Sequence, residues 1–344
     1  MTSQEARLSI PQQPTALVDG FQAVDWKQEA ESWLNNFRSE KTRKAYFDGW
    51  AGFVAYVAQA FASDFPSGVS PDRVTKQHVI SYKRHMETVP SLKTGKLVSR
   101  STINLRLSAL SSFYDWLVEG QLLGANPVNG VKRQAVSPYG KATWLDAETR
   151  QDIQLLAAID RDSQQGRRDR AIMLLFLTSA VRVGVIPQLT VGSLRQQGAK
   201  TFLSYTNKGG EDLKIELAPE TAAAIAEYLK TREGLTPASP LFVATERGQR
   251  GRGVAGDQPL TARAIHYLVT SYCDKAFGKG HGIHPHSLRH TAAQVAVAEG
   301  FSVTDVSRLL KHKSLQVTTV YLHATDKADG KLARGLGRRY QEVV

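Results

Sequence analysis

The chain has 344 residues, 42% of them hydrophobic and 22% charged, and its 44 Lys+Arg against 32 Asp+Glu leave a formal charge of +12. That length accommodates two ordinary domains, each with its own core. The basic excess favours a polyanionic partner, because every phosphate neutralised releases condensed counterions, although charge alone equally describes a merely basic globular protein. The single cysteine, Cys273, excludes an internal disulfide and a cysteine-rich zinc site, which suits a reducing cytosol. The opening MTSQEARLSIPQQP carries an acid where a signal peptide has a basic start and then an apolar run, so no export is expected. The most apolar run, AIMLLFLTSAV, is far short of the roughly 20 residues that span a bilayer, and reads as a buried helix.

Residues 1–25 show no periodicity and read as a loose arm. From Trp26 the spacing turns helical, with Ala30, Trp33, Leu34 and Phe37 on one face. A second helix is expected in KTRKAYFDGWAGFVAYVAQAF, capped by Thr42 and turning Tyr46, Trp50, Phe53 and Val57 inward. TKQHVISYKRHME predicts a third, and a fourth runs from about Ser101 to Glu119 and stops at Gly120. Residues 26–127 therefore predict an all-α domain, and the Gly, Pro and basic mixture that follows predicts a linker over 128–142. A second domain is expected over 143–327, with helices near 146–159 and 168–183. Then TFLSYTNKGGEDLKIEL alternates with period two at Leu213, Ile215 and Leu217 beyond an NKGG turn, which predicts a β-hairpin. Helices at 219–232, 261–277 and at least two after His284 complete it, leaving a tail over 328–344. The expected fold class is mainly α with a small β-sheet.

Chemistry concentrates late in the chain. In HGIHPHSLRHTAAQVAVAEG, Leu288, Ala292 and Val295 make an apolar stripe, Gly300 a stop, and His286 and Arg289 share another face near the helix start. An imidazole and a guanidinium beside free backbone N–H groups suit a phosphate, with a solvated polar face as the equal alternative. The histidines at 281, 284, 286 and 290 fit no zinc spacing and lack a carboxylate or thiolate partner, so no metal is expected. Tyr321 stands nine residues after His312. A phenol is a poor nucleophile near neutrality unless its target has lost its charge, which two arginines on a phosphodiester achieve without metal. Arg182, at the end of the apolar run, is the candidate second arginine, although an arginine there is more often a cap.

Together and in order, TSAVRVGVIPQL, TNKGGE, HPHSLRHT and LLKHKSLQVTTVYLH resemble the tyrosine recombinase (phage integrase) family, and KTRKAYFDGWAGFVAYV with STINLRLSALSSFYDWL is similar to its core-binding helices. The resemblance covers nearly the whole chain from residue 26 and implies an all-α core-binding domain joined to an α+β catalytic domain. It implies that Arg182 and Arg289 hold the non-bridging oxygens of the scissile phosphate and that Tyr321 attacks phosphorus to give a 3′-phosphotyrosyl link. Lys208 would then protonate the leaving 5′-oxygen, His286 assist proton transfer at the tyrosine, and His312 bond the phosphate. No cofactor is implied, because the phosphoester energy is kept in the covalent link. The implied partner is double-stranded DNA with an inverted-repeat core site, bound by a dimer and synapsed as a tetramer, with an accessory DNA-bending protein as an optional addition and no membrane. The place of action would be cytoplasmic, at the nucleoid.

Lys41, Arg43, Lys44, Arg100, Asn104 and Arg106 in the first domain, and Arg250 and Arg252 in a Gly- and Arg-rich loop of the second, are the candidate DNA contacts. Two positions depart from the family pattern. Val185 stands where an acid is usual, and Lys311 replaces the usual Gly before His312, a change easily tolerated only if that backbone is not left-handed. A type IB topoisomerase and an idle DNA-binding regulator on the same scaffold are the competing readings. Integration, excision and dimer or cointegrate resolution are not separated by the sequence.

Overall fold

The structure, a computed structural model, describes residues 24–92, 94–136, 143–146, 149–206, 210–244 and 258–311. It divides into two compact units, Met1–Ser137 and Pro138–Val344.

In the first unit the expected helices form where the apolar spacing puts them: α1 at Trp26–Asn35, α2 at Glu40–Ala60, α3 at Lys76–Thr88 and α4 at Arg100–Glu119. Their starts are set by side chains that accept otherwise unpaired N–H groups. The Asp25 carboxylate accepts from Lys27 and Gln28, and Ser99 accepts from Thr102. For α2 the cap is Ser39 and not Thr42; it is the Thr42 N–H that Ser39 accepts, at 3.4 Å. The helix therefore begins three residues earlier than the apolar pattern alone indicates. Trp33, Phe53, Val57, Tyr82, Leu107, Leu110 and Phe113 fill the core between the helices.

The expected linker is shorter than 128–142. Val128 and Val131 are buried in the core of the first unit. Beyond them Arg133 donates to the carbonyls of Asn104 and Leu107, and the Asn104 amide donates to the Gln134 carbonyl at 2.9 Å while accepting from its N–H at 2.9 Å. Two valines in a Gly- and Pro-rich stretch carry no readable period, yet they dock this strap along α4.

In the second unit, α5 is shorter than expected, at Gln151–Ala157. The hairpin gains a strand: β1 (Leu194–Gln197), β2 (Lys200–Thr206) and β3 (Asp212–Glu216) form an antiparallel sheet in the order β1-β2-β3. In its register Leu203 faces Ile215 and Tyr205 faces Leu213. Then follow α7 (Pro219–Leu229), α8 (Ala262–Phe277), α9 (Pro285–Ala298) and α10 (Val303–Leu310).

The centre of this unit is α6, Gln164–Ser179, whose residues 171–176 are all buried. Near its start Arg168 and Asp169 form a buried ion pair at 2.7 Å. Arg168 also donates to the Val243 carbonyl and Tyr272 donates to Asp169, so the pair joins α6 to the chain before α8 and to α8 itself. Every polar atom so used is satisfied, which is the condition for burying charge. Burial nevertheless raises the Asp169 carboxyl above the usual carboxylate range, against the lowering effect of Arg168. Among the described residues no helix is long and apolar enough to cross a membrane.

Candidate active site

Three of the six candidate catalytic residues, Arg182, His286 and Arg289, lie among the described residues, and the structure brings them together. Lys208, His312 and Tyr321 lie outside them, as do Arg250 and Arg252.

The site begins where α6 stops. The helix was expected to run through 183, but it ends at Ser179, and Ala180 takes a left-handed conformation with φ 48° and ψ 33°. The chain then turns. The Val185 N–H donates to the Arg182 carbonyl at 2.9 Å, and Val185 itself is buried with Ile186 in the core. Arg182 thus leaves the helix as an exposed side chain on a turn. The acid usual at 185 is replaced by core packing, and among the described residues no carboxylate forms an ion pair with Arg182.

Arg289 comes from α9. Pro285 opens that helix at a position where a missing N–H costs nothing. Its start is pinned by the segment 143–146: Thr143 donates to the Gly282 carbonyl at 2.6 Å, and the Leu145 N–H donates to Thr291 at 2.9 Å. Its end is fixed by paired bonds, Gly300 to Val297 and Phe301 to Ala296, with Gly300 at φ 89°. Arg289 does not sit on a solvated face; it is 4% exposed. Its guanidinium donates to the carbonyl of Ala180, beyond the last turn of α6, and to the carbonyl of Leu310, the last residue of α10. Both are helix C-terminal carbonyls, which lack intrahelical donors and carry partial negative charge. One cation therefore holds the ends of two helices.

At the end of α10, Lys311 has φ 48° and ψ 49°. The backbone before His312 is thus left-handed, so the condition under which lysine replaces glycine there without cost is not met.

His286 lies three residues before Arg289, on the first turn of α9. Its ring stands edge-on to His290 at 4.4 Å and stacks on His284 at 6.5 Å. Partial burial, and then the charges of Arg289, His284 and Arg182, hold its pKa below the ordinary imidazole value. The ring is therefore neutral near pH 7 and able to accept a proton. A residue absent from the sequence-based set joins the group: Tyr205 on β2, half-buried against the core. Burial raises its phenol, while Arg289 and Arg182 act on it in the opposite direction. Nothing in the sequence around Tyr205 signals arginines that come from positions 182 and 289.

A cleft of about 750 Å³, lined by Ile159, Arg161, Asp162, Arg167, Glu227 and Lys230, contains none of Arg182, Tyr205, His286 and Arg289. An exposed guanidinium at Arg182 and an exposed, neutral imidazole at His286, with the buried Arg289 three residues along the same helix as His286, offer groups that suit a phosphate. Among the described residues no group of three His, Cys, Asp or Glu could hold a metal ion.

Among the candidate DNA contacts, Lys41, Lys44 and Arg100 are exposed near the starts of α2 and α4. Lys44 pairs loosely with Asp48 at 3.6 Å. Arg106 is partly buried, with its guanidinium on the Met86 sulfur, and both ends of the Asn104 amide are occupied by Gln134. Arg43 is partly buried and its Nε has no hydrogen-bond partner among the described residues.

Residues 147–328, more than half of the chain, match the phage integrase family. The tyrosine recombinase XerC of Pelobacter propionicus is 29% identical over 234 residues, 67% of this chain and 71% of that protein. A tyrosine recombinase of Synechococcus elongatus is 28% identical over 313 residues, 89% of this chain and 91% of its own length. In fold, the chain is similar to the XerH site-specific recombinase bound to a palindromic difH substrate, with TM-score 0.63 and 13% identity over 89% of this chain and 93% of that one. It is also similar to a lambda integrase dimer bound to a core site, with TM-score 0.57 and 15% identity over 87% and 77% of the two chains. With the sheet, the paired arginines and the helix that carries His286 in the same segment as the family match, the chain belongs to the phage integrase family, the tyrosine recombinases.

Proposed function

We infer that this protein is a site-specific DNA recombinase that cuts and rejoins duplex DNA through a 3′-phosphotyrosyl intermediate and a Holliday junction. The observation that carries the reading is that Arg182 and Arg289 both act on a neutral His286, in a family member whose sequence continues to His312 and Tyr321.

In the proposed mechanism the two guanidiniums take the negative charge of the scissile phosphate, so that the Tyr321 phenol meets an electrophile it can attack. Neutral His286 accepts or relays the proton that leaves the phenol. Lys208 donates to the departing 5′-oxygen, and His312 bonds a phosphate oxygen. Because the phosphoester bond energy is retained in the tyrosyl link, the 5′-hydroxyl of another strand reverses the step. Arg289 reaches the phosphate already oriented by its two carbonyl partners, so little ordering remains to be done when DNA arrives.

Lys41, Lys44 and Arg100 are proposed to hold DNA phosphates, with Arg43, Arg250 and Arg252 as further contacts. Asn104 and Arg106 are left out of this face because the fold engages their side chains. A dimer on one inverted-repeat site, a tetramer in synapsis, a docking role for residues 328–344, an accessory bending protein and action at the nucleoid complete the proposal. The test mixes the protein with nicked duplexes drawn from DNA flanking its gene, whose released fragment traps a covalent intermediate. A denaturant-resistant complex that disappears with Tyr321→Phe supports the reading, and its persistence in that variant refutes it.

A further inference from the structure

We propose that Thr143 is a positioning residue, its hydroxyl latching the start of α9 in the orientation that aims His286. The inference rests on the recombinase reading above and deepens it with a residue that acts through the helix and not by contact with DNA.

The start of α9 is not fixed from within. His284, the residue before the helix, makes no side-chain cap, and Pro285 brings no N–H. The hold comes from a segment far earlier in the chain. Thr143 donates to the Gly282 carbonyl at 2.6 Å and pairs with the Ser287 hydroxyl at 3.2 Å. A threonine has one hydroxyl proton, and here Gly282 takes it, so Ser287 is the donor of the second bond. Ser287 is completely buried, and that bond offsets the cost of desolvating its hydroxyl. Gly282 admits the approach: its φ is 69°, and a Cβ there would meet the Thr143 Cγ2 at 3.3 Å.

The segment that carries Thr143 is itself anchored. Leu145 is fully buried in the core of this unit, and its N–H donates to Thr291 at 2.9 Å. Thr291, also fully buried, donates in turn to the Ser287 carbonyl at 3.0 Å. Three hydroxyls and two backbone carbonyls thus close a bonded chain between residues 143–145 and the first two turns of α9.

Helix geometry sets what the latch controls. At about 100° per residue, Ser287 and Thr291 share one face of α9, and the midpoint between His286 and Arg289 lies about 150° around the helix from it. The latch therefore grips the side away from the two functional side chains and resists rotation of the first turn. Arg289 is separately fixed by the carbonyls of Ala180 and Leu310. His286 is exposed, and its ring contacts are with His284 and His290, both from its own stretch of chain. The aim of the imidazole follows the backbone it grows from, so release of the latch is felt first at the proton acceptor.

The experiment measures covalent-complex formation on the nicked duplexes over a range of DNA concentrations. Thr143→Val keeps the shape of the side chain and loses the hydroxyl, whereas Thr143→Ser keeps the hydroxyl. Misplacing the proton acceptor should lower the saturating rate of Thr143→Val about ten- to hundredfold, with the half-saturating DNA concentration within about threefold of normal. Thr143→Ser should cleave within about threefold of the unaltered protein, because both bonds can form. Ser287→Ala removes the other half of the pair and gives a second reading should Thr143→Val not fold. It should also lower the saturating rate, and combining it with Thr143→Val should add less than about threefold further slowing, because the two hydroxyls act as one unit. A saturating rate within about threefold of normal in Thr143→Val overturns the proposal, as does a loss confined to the half-saturating concentration. Thr143→Ser cleaving as slowly as Thr143→Val also overturns it. An unaltered protein that gives no covalent complex overturns the recombinase reading and this proposal with it, whereas normal cleavage by Thr143→Val overturns this proposal alone.

Discussion

Replacing Arg289 should damage the protein in two separable ways. The side chain is 4% exposed and donates to the carbonyls of Ala180 and Leu310. Arg289→Ala leaves both acceptors without that donor, and an unpaired buried acceptor costs about 1–3 kcal/mol. Together with the packing that the side chain supplies, the sum falls near the about 3–5 kcal/mol that accompanies breaking a buried charged pair. In a unit of this size each kcal/mol moves the melting midpoint about 2–4 °C, so a fall of roughly 6–20 °C is expected. Arg182 is the internal comparison, since it is exposed and caps nothing among the described residues. Arg182→Ala should change stability by no more than about 0.5 kcal/mol. Differential scanning calorimetry supplies the first readout and the nicked-duplex assay the second. Both variants should lose the covalent complex, and only Arg289→Ala should melt early. Equal melting of Arg289→Ala and the unaltered protein would show that the two carbonyls do not depend on this guanidinium, and the account of the site would fail.

Lys311→Gly should stabilise the second unit by roughly 0.5–1 kcal/mol, the left-handed penalty of a Cβ less the freedom that glycine adds to the unfolded chain, and a lower urea midpoint would contradict this. Asn104→Ala should cost the first unit about 1–2 kcal/mol in urea unfolding through the missing Gln134 bonds, while DNA affinity at fixed salt shifts little. A selective loss of affinity would restore Asn104 as a DNA contact. The cleavage rate should be flat through neutral pH as far as His286 is concerned and fall only below the ordinary imidazole value near 6.5, because its folded pKa is lowered and the neutral form persists to more acid conditions. An inflection above that value, absent in His286→Gln, would reverse the assigned direction. Replacing Lys41, Lys44 and Arg100 together by Ala should flatten the log affinity against log salt slope by about 2–3, roughly 0.9 for each phosphate that is no longer neutralised.

The helices were legible because their cores are local. Ala30, Trp33 and Leu34, or Ile103, Leu107 and Leu110, fall into one stripe by spacing alone, and the same stripes are buried in the fold. The short edge strand β1, of sequence LRQQ, was not legible, because only Leu194 of its four residues is apolar and it exists by pairing with β2. Nor was the end of α6. The run through Val181 is apolar, and no glycine announces the left-handed turn at Ala180, which is accompanied by a donor 109 residues away. For the site, residue types and their order were readable, whereas the burial of Arg289 was not. A guanidinium on a helix face looks solvated until the helix ends that surround it are known. The strap carrying Val128 and Val131 was missed for the same reason, since its partner along the chain is α4.

The clasp of Arg289 on Leu310 also has a thermodynamic consequence for the chain that follows. Leu310 is two residues before His312 in sequence. Any displacement of α10 must stretch or break the bond that orients Arg289, so the position of α10 and the aim of this guanidinium form one linked equilibrium. If Arg289 holds phosphate as proposed, a ligand or neighbouring subunit that prefers one position of α10 acquires leverage over phosphate affinity without touching the phosphate, and bound phosphate exerts the same leverage in return.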